Sequence, residues 1–238
     1  MNEKRVITGF ALGALVIITL IFDRGTPFRA LIVVAAIIAI TEIWYAYRSP
    51  SQIHHANGYD ARVTAEQTAI LAFGAAGLCL MSTLHVVLIM VGVCGADTAA
   101  YVVGRLLGRK LIRKRPLPEL SPNKNWEGII GGTLGGMLAV LLVLLYYYDG
   151  FMRAVWWQEW LILATASPLA IVGDILGSRT KRALQLKDSG DCLRDHPFFS
   201  EAERILAAHG GYLDRLDSIT FAALGIFLLT AVAEIATS

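Results

Sequence analysis

Long apolar blocks alternate with short polar stretches along the whole chain. A bilayer-spanning helix needs about 20 mostly apolar residues. Seven blocks meet that requirement: Val6–Phe22, Ala30–Tyr47, Gln67–Leu84, Val86–Leu107, Gly128–Tyr148, Val155–Gly177 and Ile219–Ile235. The pattern predicts an all-α, polytopic integral membrane protein with about seven transmembrane helices. Lys4 and Arg5 precede the first block as they would in a signal peptide. Asp23 and Arg24 follow it with no small-residue cleavage pattern, so a retained helix is expected. The third and fourth blocks are separated only by a tight turn near Ser82–His85.

Composition agrees with the pattern. Of 238 residues, 55% are hydrophobic and 17% charged, where a soluble domain has about 25% charged residues. The three cysteines, Cys79, Cys94 and Cys192, fit no zinc or disulfide spacing. The net charge of +2 says little about partners, but the placement of the charges predicts orientation. Arg105, Arg109, Lys110, Arg113, Lys114, Arg115 and Lys124 follow the fourth block, and Arg179, Lys181, Arg182, Lys187, Arg194, Arg204 and Arg215 follow the sixth. The intervening turn holds only Arg153. Positive-inside bias puts both basic loops, 105–127 and 178–217, on the cytoplasmic side, with the N-terminus inside and the C-terminus outside. Tyr146, Tyr147, Tyr148, Trp156 and Trp157 flank the outer turn as an interfacial aromatic belt. Gly131, Gly132, Gly135 and Gly136 form a small face for close helix packing.

Carboxylates inside apolar blocks mark candidate chemistry, since each costs about 2.5–3.5 kcal/mol at the bilayer centre. Glu159 and Glu234 lie near outer ends and are expected to reach water. Glu42 is near enough to the cytoplasmic end either to snorkel or to take a partner, whereas Asp97 sits mid-span. Asp174 begins a polar run in which Ser178 and Lys181 or Arg182 share its helical face. Lys187-Asp188-Ser189-Gly190 follows, then His209-Gly210-Gly211, then Asp214, Arg215, Asp217 and Ser218, with Asp214, Asp217 and Ser218 on one face. Hard oxygen donors interleaved with cations suit a magnesium–phosphate substrate. A polybasic loop touching anionic lipid explains the cations but not the interleaved Asp, Gly and Ser. Upstream, Ser121-Pro122-Asn123-Lys124-Asn125-Trp126-Glu127-Gly128 offers a cation and an aromatic surface.

These motifs resemble those of the phosphatidate cytidylyltransferases (CDP-diacylglycerol synthases). Gly173-Asp174, Ser178, Lys181-Arg182, Lys187-Asp188-Ser189-Gly190, His209-Gly210-Gly211 and Leu213-Asp214-Arg215-Leu216-Asp217-Ser218 follow the family order. Asp97-Thr98-Ala99-Ala100-Tyr101 and the Ser121–Gly128 stretch match further pieces, with Asn125 where Thr is usual. The resemblance is strong from Gly95 to Ser218. It departs in two places. Asp191–Ala208 stands where the family has a very short link, and one or two N-terminal spans common in the family are expected to lack a counterpart.

The resemblance implies conversion of CTP and phosphatidate to CDP-diacylglycerol and pyrophosphate at the cytoplasmic face of the inner membrane, with Mg2+ and room for a second metal ion. Two parts are expected, N-terminal transmembrane helices over 1–84 and a catalytic transmembrane domain over 85–238. Asp174, Ser178, Lys181, Arg182, Lys187, Asp188, Asp214, Arg215 and Asp217 would be catalytic, with Asp174, Asp214 and Asp188 as metal ligands. Asp97, Ser121, Lys124, Trp126, Glu127, His209, Gly210, Gly211 and Ser218 would bind substrate. Membrane lipid and CTP are the expected partners, nucleic acid is not, and a homo-oligomer is left open. The competing readings are a CTP-dependent lipid kinase, a cytidylyltransferase for another lipid phosphate, and a small ion-coupled transporter. The last should show paired halves, and no internal repeat is visible.

Overall fold

Six long helices build the described part of the molecule. The structure is a computed structural model that describes residues 18–19, 26–48, 58–108, 110, 112, 116–117, 120–121, 124–149, 155–186 and 211–237. The helices are α1 (Thr26–Arg48), α2 (Gly58–Leu80), α3 (Thr83–Leu107), α4 (Trp126–Tyr147), α5 (Trp157–Ala183) and α6 (Leu213–Thr237). All six contain an apolar stretch long enough to cross a membrane. At 22 to 27 residues each, they extend about 33–40 Å, more than the roughly 30 Å hydrocarbon layer. The chain is an integral membrane protein. The predicted Val6–Phe22 span lies outside the described residues apart from 18–19.

The helices run past the predicted blocks where local chemistry lets them. The block predicted over Gln67–Leu84 is a helix that starts at Gly58 and stops at Leu80. Its polar first turns hold together through an Arg62–Glu66 pair at i,i+4 spacing, 2.9 Å apart. The block predicted over Val155–Gly177 continues to Ala183 and stops where Gln185 takes a left-handed φ of 53°. The last block begins at Leu213 rather than Ile219. Between α2 and α3, Ser82 breaks the helix and its hydroxyl accepts the His85 N–H, restarting the chain as α3.

Small residues fix how closely the helices approach. A Cβ on Gly135 would meet Ala99 Cβ at 2.2 Å, and one on Gly136 would meet the Gly92 carbonyl oxygen at 2.5 Å. α3 and α4 therefore touch along the glycine face expected from the sequence. Beside that face, Leu134, Leu138 and Leu142 of α4 are exposed, as residues facing lipid would be. α5 meets α6 over Gly173 and Gly177, and α2 meets α6 over Gly74. α1 packs on α2 and on α6. Tyr146 and Tyr147 at the C-terminal end of α4 and Trp156 and Trp157 at the start of α5 are exposed, as an interfacial belt requires.

The same end of the bundle corrects one expectation. Glu159 does not reach water: it is 3% exposed. Its Oε1 accepts a hydrogen bond from the Tyr148 hydroxyl at 3.3 Å and lies 3.6 Å from His85 Nε2. α3, α4 and α5 converge at that end, so the carboxylate is covered by helix rather than solvent. Glu234 is exposed as expected and accepts from Gln158 at 3.1 Å.

Candidate active site

Polar residues that the sequence sets apart, in the C-terminal halves of α3 and α5 and just ahead of α4, are brought together in one half of the bundle. α3 contributes Asp97, α4 is preceded by Lys124, and α5 contributes Asp174. These residues line a cavity of about 410 Å³ together with Tyr101, Arg105 and Asn125. Lys124 Nζ stands 2.7 Å from Asp174 Oδ2, and Asp97 and Asp174 lie within electrostatic reach of each other. A carboxylate pair beside a cation in a water-accessible recess offers anionic and cationic surfaces to one ligand.

The loop before α4 is held by Asn125. Asn125 Oδ1 accepts the Gly128 N–H at 2.7 Å, capping α4. Its Nδ2 donates to the Gly104 carbonyl at 3.2 Å. A Cβ on Gly108 would lie 2.6 Å from that same Nδ2, so the glycines of α3 leave room for Asn125. Asn125 thus both caps α4 and tethers its loop to α3. Glu127 is buried and accepts the Ile112 N–H at 2.8 Å, while Trp126 is exposed at the start of α4.

A second group adjoins the first where α5 meets α6. Lys181 Nζ forms an ion pair with Asp214 Oδ1, and Asp214 Oδ2 accepts the Gly211 N–H at 3.3 Å. Asp217 is 2% exposed. Its Oδ1 accepts from the Ser218 backbone N–H at 2.6 Å and from the Ser218 hydroxyl at 3.2 Å. Its Oδ2 is buried without a hydrogen-bond partner. Asp174 faces Asp217 electrostatically, and Lys181 faces Asp174, Asp214 and Asp217 together. Four carboxylates and two lysines thus form one continuous patch.

The helical register decides which predicted residues join it. Lys181, seven residues after Asp174, is the cation that meets Asp214. Arg182 turns the other way, its guanidinium donating to the Leu120 carbonyl at 3.4 Å and the Leu186 carbonyl at 2.9 Å. Ser178 is half-buried on α5 and Arg215 is exposed on α6. Ser121 lies in the turn before Lys124, whose N–H it accepts through its carbonyl at 3.2 Å. Lys187, Asp188, His209, Gly210 and the Asp191–Ala208 segment lie outside the described residues.

Several contributors were not singled out from sequence as site residues. Tyr101, Arg105 and Asn125 line the cavity. Arg105 counted only as a loop charge, although its position eight residues after Asp97 places it about two turns along the same helix. Glu42 is buried, and its two oxygens accept from Tyr212 N and Leu213 N. Thr180 bonds Gln67 at 3.5 Å, and Arg179 bonds Glu66 and Tyr59 at 3.3 and 3.0 Å.

Among the described residues, no three His, Cys, Asp or Glu side chains stand close enough to enclose a metal ion. Magnesium needs less than that: one or two carboxylates hold it, with water and phosphate completing its shell. Asp217 Oδ2, buried and without a hydrogen-bond partner, is a hard oxygen of the kind that a divalent cation shared with a phosphate ligand would take.

Comparison with known proteins covers the same region. The profile of the cytidylyltransferase family matches residues 80–233. A phosphatidate cytidylyltransferase of Staphylococcus haemolyticus (strain JCSC1435) is 38% identical over 128 residues, covering 52% of this chain and 40% of the relative. One from Helicobacter pylori (strain ATCC 700392 / 26695) is 34% identical over 151 residues, covering 63% and 48%. The matched region spans less than half the length of these curated relatives.

Proposed function

The chain belongs to the cytidylyltransferase family, and we propose that it transfers the cytidylyl group of CTP to the phosphate of a membrane lipid, phosphatidate, giving CDP-diacylglycerol and pyrophosphate. One observation carries this reading: the Lys124–Asp174 pair and the Lys181–Asp214 pair meet around Asp217 at the polar end of a membrane bundle. Mixed charge at a helix-end recess suits two anionic substrates, one arriving from water and one remaining in lipid.

The lipid phosphate oxygen attacks the α-phosphorus of CTP, and the bond to the β-phosphate oxygen breaks. The phosphate is already anionic near neutral pH, so no strong general base is required. Positioning and charge neutralisation lower the barrier. Lys124 and Arg105 meet phosphate in the cavity, and Lys181 neutralises the departing pyrophosphate. Asp97 and Asn125 orient the nucleotide at the cavity wall, while Trp126 anchors the loop at the interface. A divalent ion, Mg2+, would supply Lewis-acid charge to the phosphate oxygens. Asp174 and Asp214 would hold it, supported by Asp217 and Asp188. Lys187 would act in catalysis, and His209, Gly210 and Gly211 would bind substrate, as the family resemblance implies. Arg182, Ser121 and Glu127 act through the loop they tether. The acyl chains stay in the bilayer, and the positive charge of the loops around the site supports a cytoplasmic orientation.

The test is lipid labelling in detergent micelles. Radiolabel on the α-phosphate of CTP should enter chloroform-soluble product, with pyrophosphate released only when phosphatidate is added. Label entering lipid from the γ-phosphate instead would identify a kinase and refute the proposal. A magnesium-independent reaction would remove the assigned ligands from the mechanism.

A further inference from the structure

The N-terminus of α6 carries Asp214 and Asp217, and Asp214 accepts the Gly211 N–H, yet no residue before the first turn provides a side-chain cap. The first N–H groups of any helix lack intrahelical partners and carry partial positive charge. A Ser, Thr, Asp or Asn before the first turn normally satisfies them. Here Gly210-Gly211-Tyr212 precede Leu213, and none can supply a short side-chain oxygen. The acceptor comes from 170 residues away. Glu42 on α1 receives the Tyr212 N–H on Oε1 at 2.9 Å and the Leu213 N–H on Oε2 at 3.0 Å.

Glu42 is 1% exposed. A carboxylate so deeply buried is costly unless charge or hydrogen bonds compensate it. The helix N-terminus provides both, so carboxylate and helix end each satisfy the other's requirement. The contact is also directional. Its two oxygens on two successive N–H groups fix both the height and the rotation of the first turn of α6. A one-residue slip there moves the chain by about 1.5 Å and rotates it by about 100°. Asp214 would leave Lys181, and Asp217 would leave the space opened by Gly177. Glu42 itself lies outside residues 80–233, the stretch shared with the family.

We propose that Glu42 is a positioning residue of the active site: by capping α6 from α1 it sets the register that presents Asp214 and Asp217. This rests on the cytidylyltransferase reading only for its activity arm. The α1 helix is then part of the catalytic apparatus rather than a membrane anchor preceding it.

The experiment compares Glu42→Gln with Glu159→Gln in the full chain. Both replace a buried carboxylate by its isostere, at opposite ends of the bundle, and neither removes volume. In Glu42→Gln the new side chain keeps one acceptor, loses the charge, and turns an amide N–H toward a backbone donor. Expected for Glu42→Gln is a kcat lower by about 10- to 100-fold, the range of lost supporting contacts, with KM for CTP unmoved. Glu159→Gln should lower the thermal midpoint and keep the parental kcat. Hydrogen exchange gives a readout independent of turnover. The Tyr212 and Leu213 amides should exchange faster in Glu42→Gln and be unaltered in Glu159→Gln. Parental kcat in Glu42→Gln at equal folded fraction, or unaltered exchange at those two amides, overturns the proposal. If the parent itself makes no CDP-lipid, the functional reading fails alone. Exchange then decides the cap: acceleration sustains it and no change overturns it.

Discussion

Gly177→Ala places a single methyl group at the junction of α5 and α6. A Cβ there would lie 2.2 Å from Asp217 Oδ2, 2.8 Å from its Cβ and 2.9 Å from its Cγ. All three atoms belong to one side chain that is 2% exposed, so it has no solvent space to swing into. Moving the oxygen from 2.2 Å out to ordinary contact at 3.4 Å requires a separation of about 1.2 Å. Overpacking of this kind costs about 1–3 kcal/mol. Replacing Gly by Ala in a helix returns about 1 kcal/mol, so the net loss of stability should be roughly 0–2 kcal/mol. Turnover should suffer more, because a misplacement of about 1 Å at a reacting site costs on the order of 100-fold. The control is Gly77→Ala, on the α2 face toward α6. Its Cβ would meet Phe227 Cβ at 3.5 Å and the Ala223 carbonyl oxygen at 3.6 Å, both ordinary contacts. That variant should match or exceed the parent in thermal midpoint and keep its turnover. The assay is CDP-lipid formation from α-labelled CTP at saturating substrate, with thermal midpoints measured in the same detergent. Parental turnover in Gly177→Ala would show that the site does not depend on where Asp217 sits, and the reasoning from helix contact to chemistry would fail.

Asp174→Asn and Asp214→Asn should each abolish turnover while the purified protein stays monodisperse, whereas Glu201→Gln should behave like the parent; near-parental activity of either Asn variant at limiting magnesium would remove that residue from the ligand set. In a background lacking Cys79, Cys94 and Cys192, a cysteine at exposed Lys110 should react with a membrane-impermeant reagent only from the cytoplasmic side, and one at exposed Asp149 only from the outside; labelling of both from one side would break the topology. Shortening Asp191–Ala208 to about four residues, a common loop length, should leave measurable activity, and complete loss in a folded variant would show that the segment serves the site.

The apolar blocks determined the architecture by themselves. In lipid every backbone polar group must be satisfied within the chain, so a 20-residue apolar run becomes a helix whatever surrounds it. Motif order likewise marked Asp97, Lys124, Asp174, Asp214 and Asp217, because hard oxygens and cations interleaved at helical spacing have few other uses. Asn125 immediately before an apolar run is a legible helix cap, and its Oδ1 accepts the Gly128 N–H.

What the sequence could not supply is the pairing between distant elements. Glu42 was marked as a carboxylate in an apolar block, with snorkelling and pairing both open. Its partners are two backbone N–H groups 170 and 171 residues away, and backbone donors leave no trace in residue identity. Lys181 and Arg182 were equivalent candidates for the face of Asp174. Only the docking of α6 on Gly173 and Gly177 selected Lys181, by placing Asp214 within its reach. Glu159 was assigned to water by its place near a block end, and three converging helices buried it. Local sequence determines the period, the span and the chemical type of each side chain, since those depend on neighbours a few residues away. Burial, partner and register depend on which helices meet, and that is settled by close packing over the whole bundle.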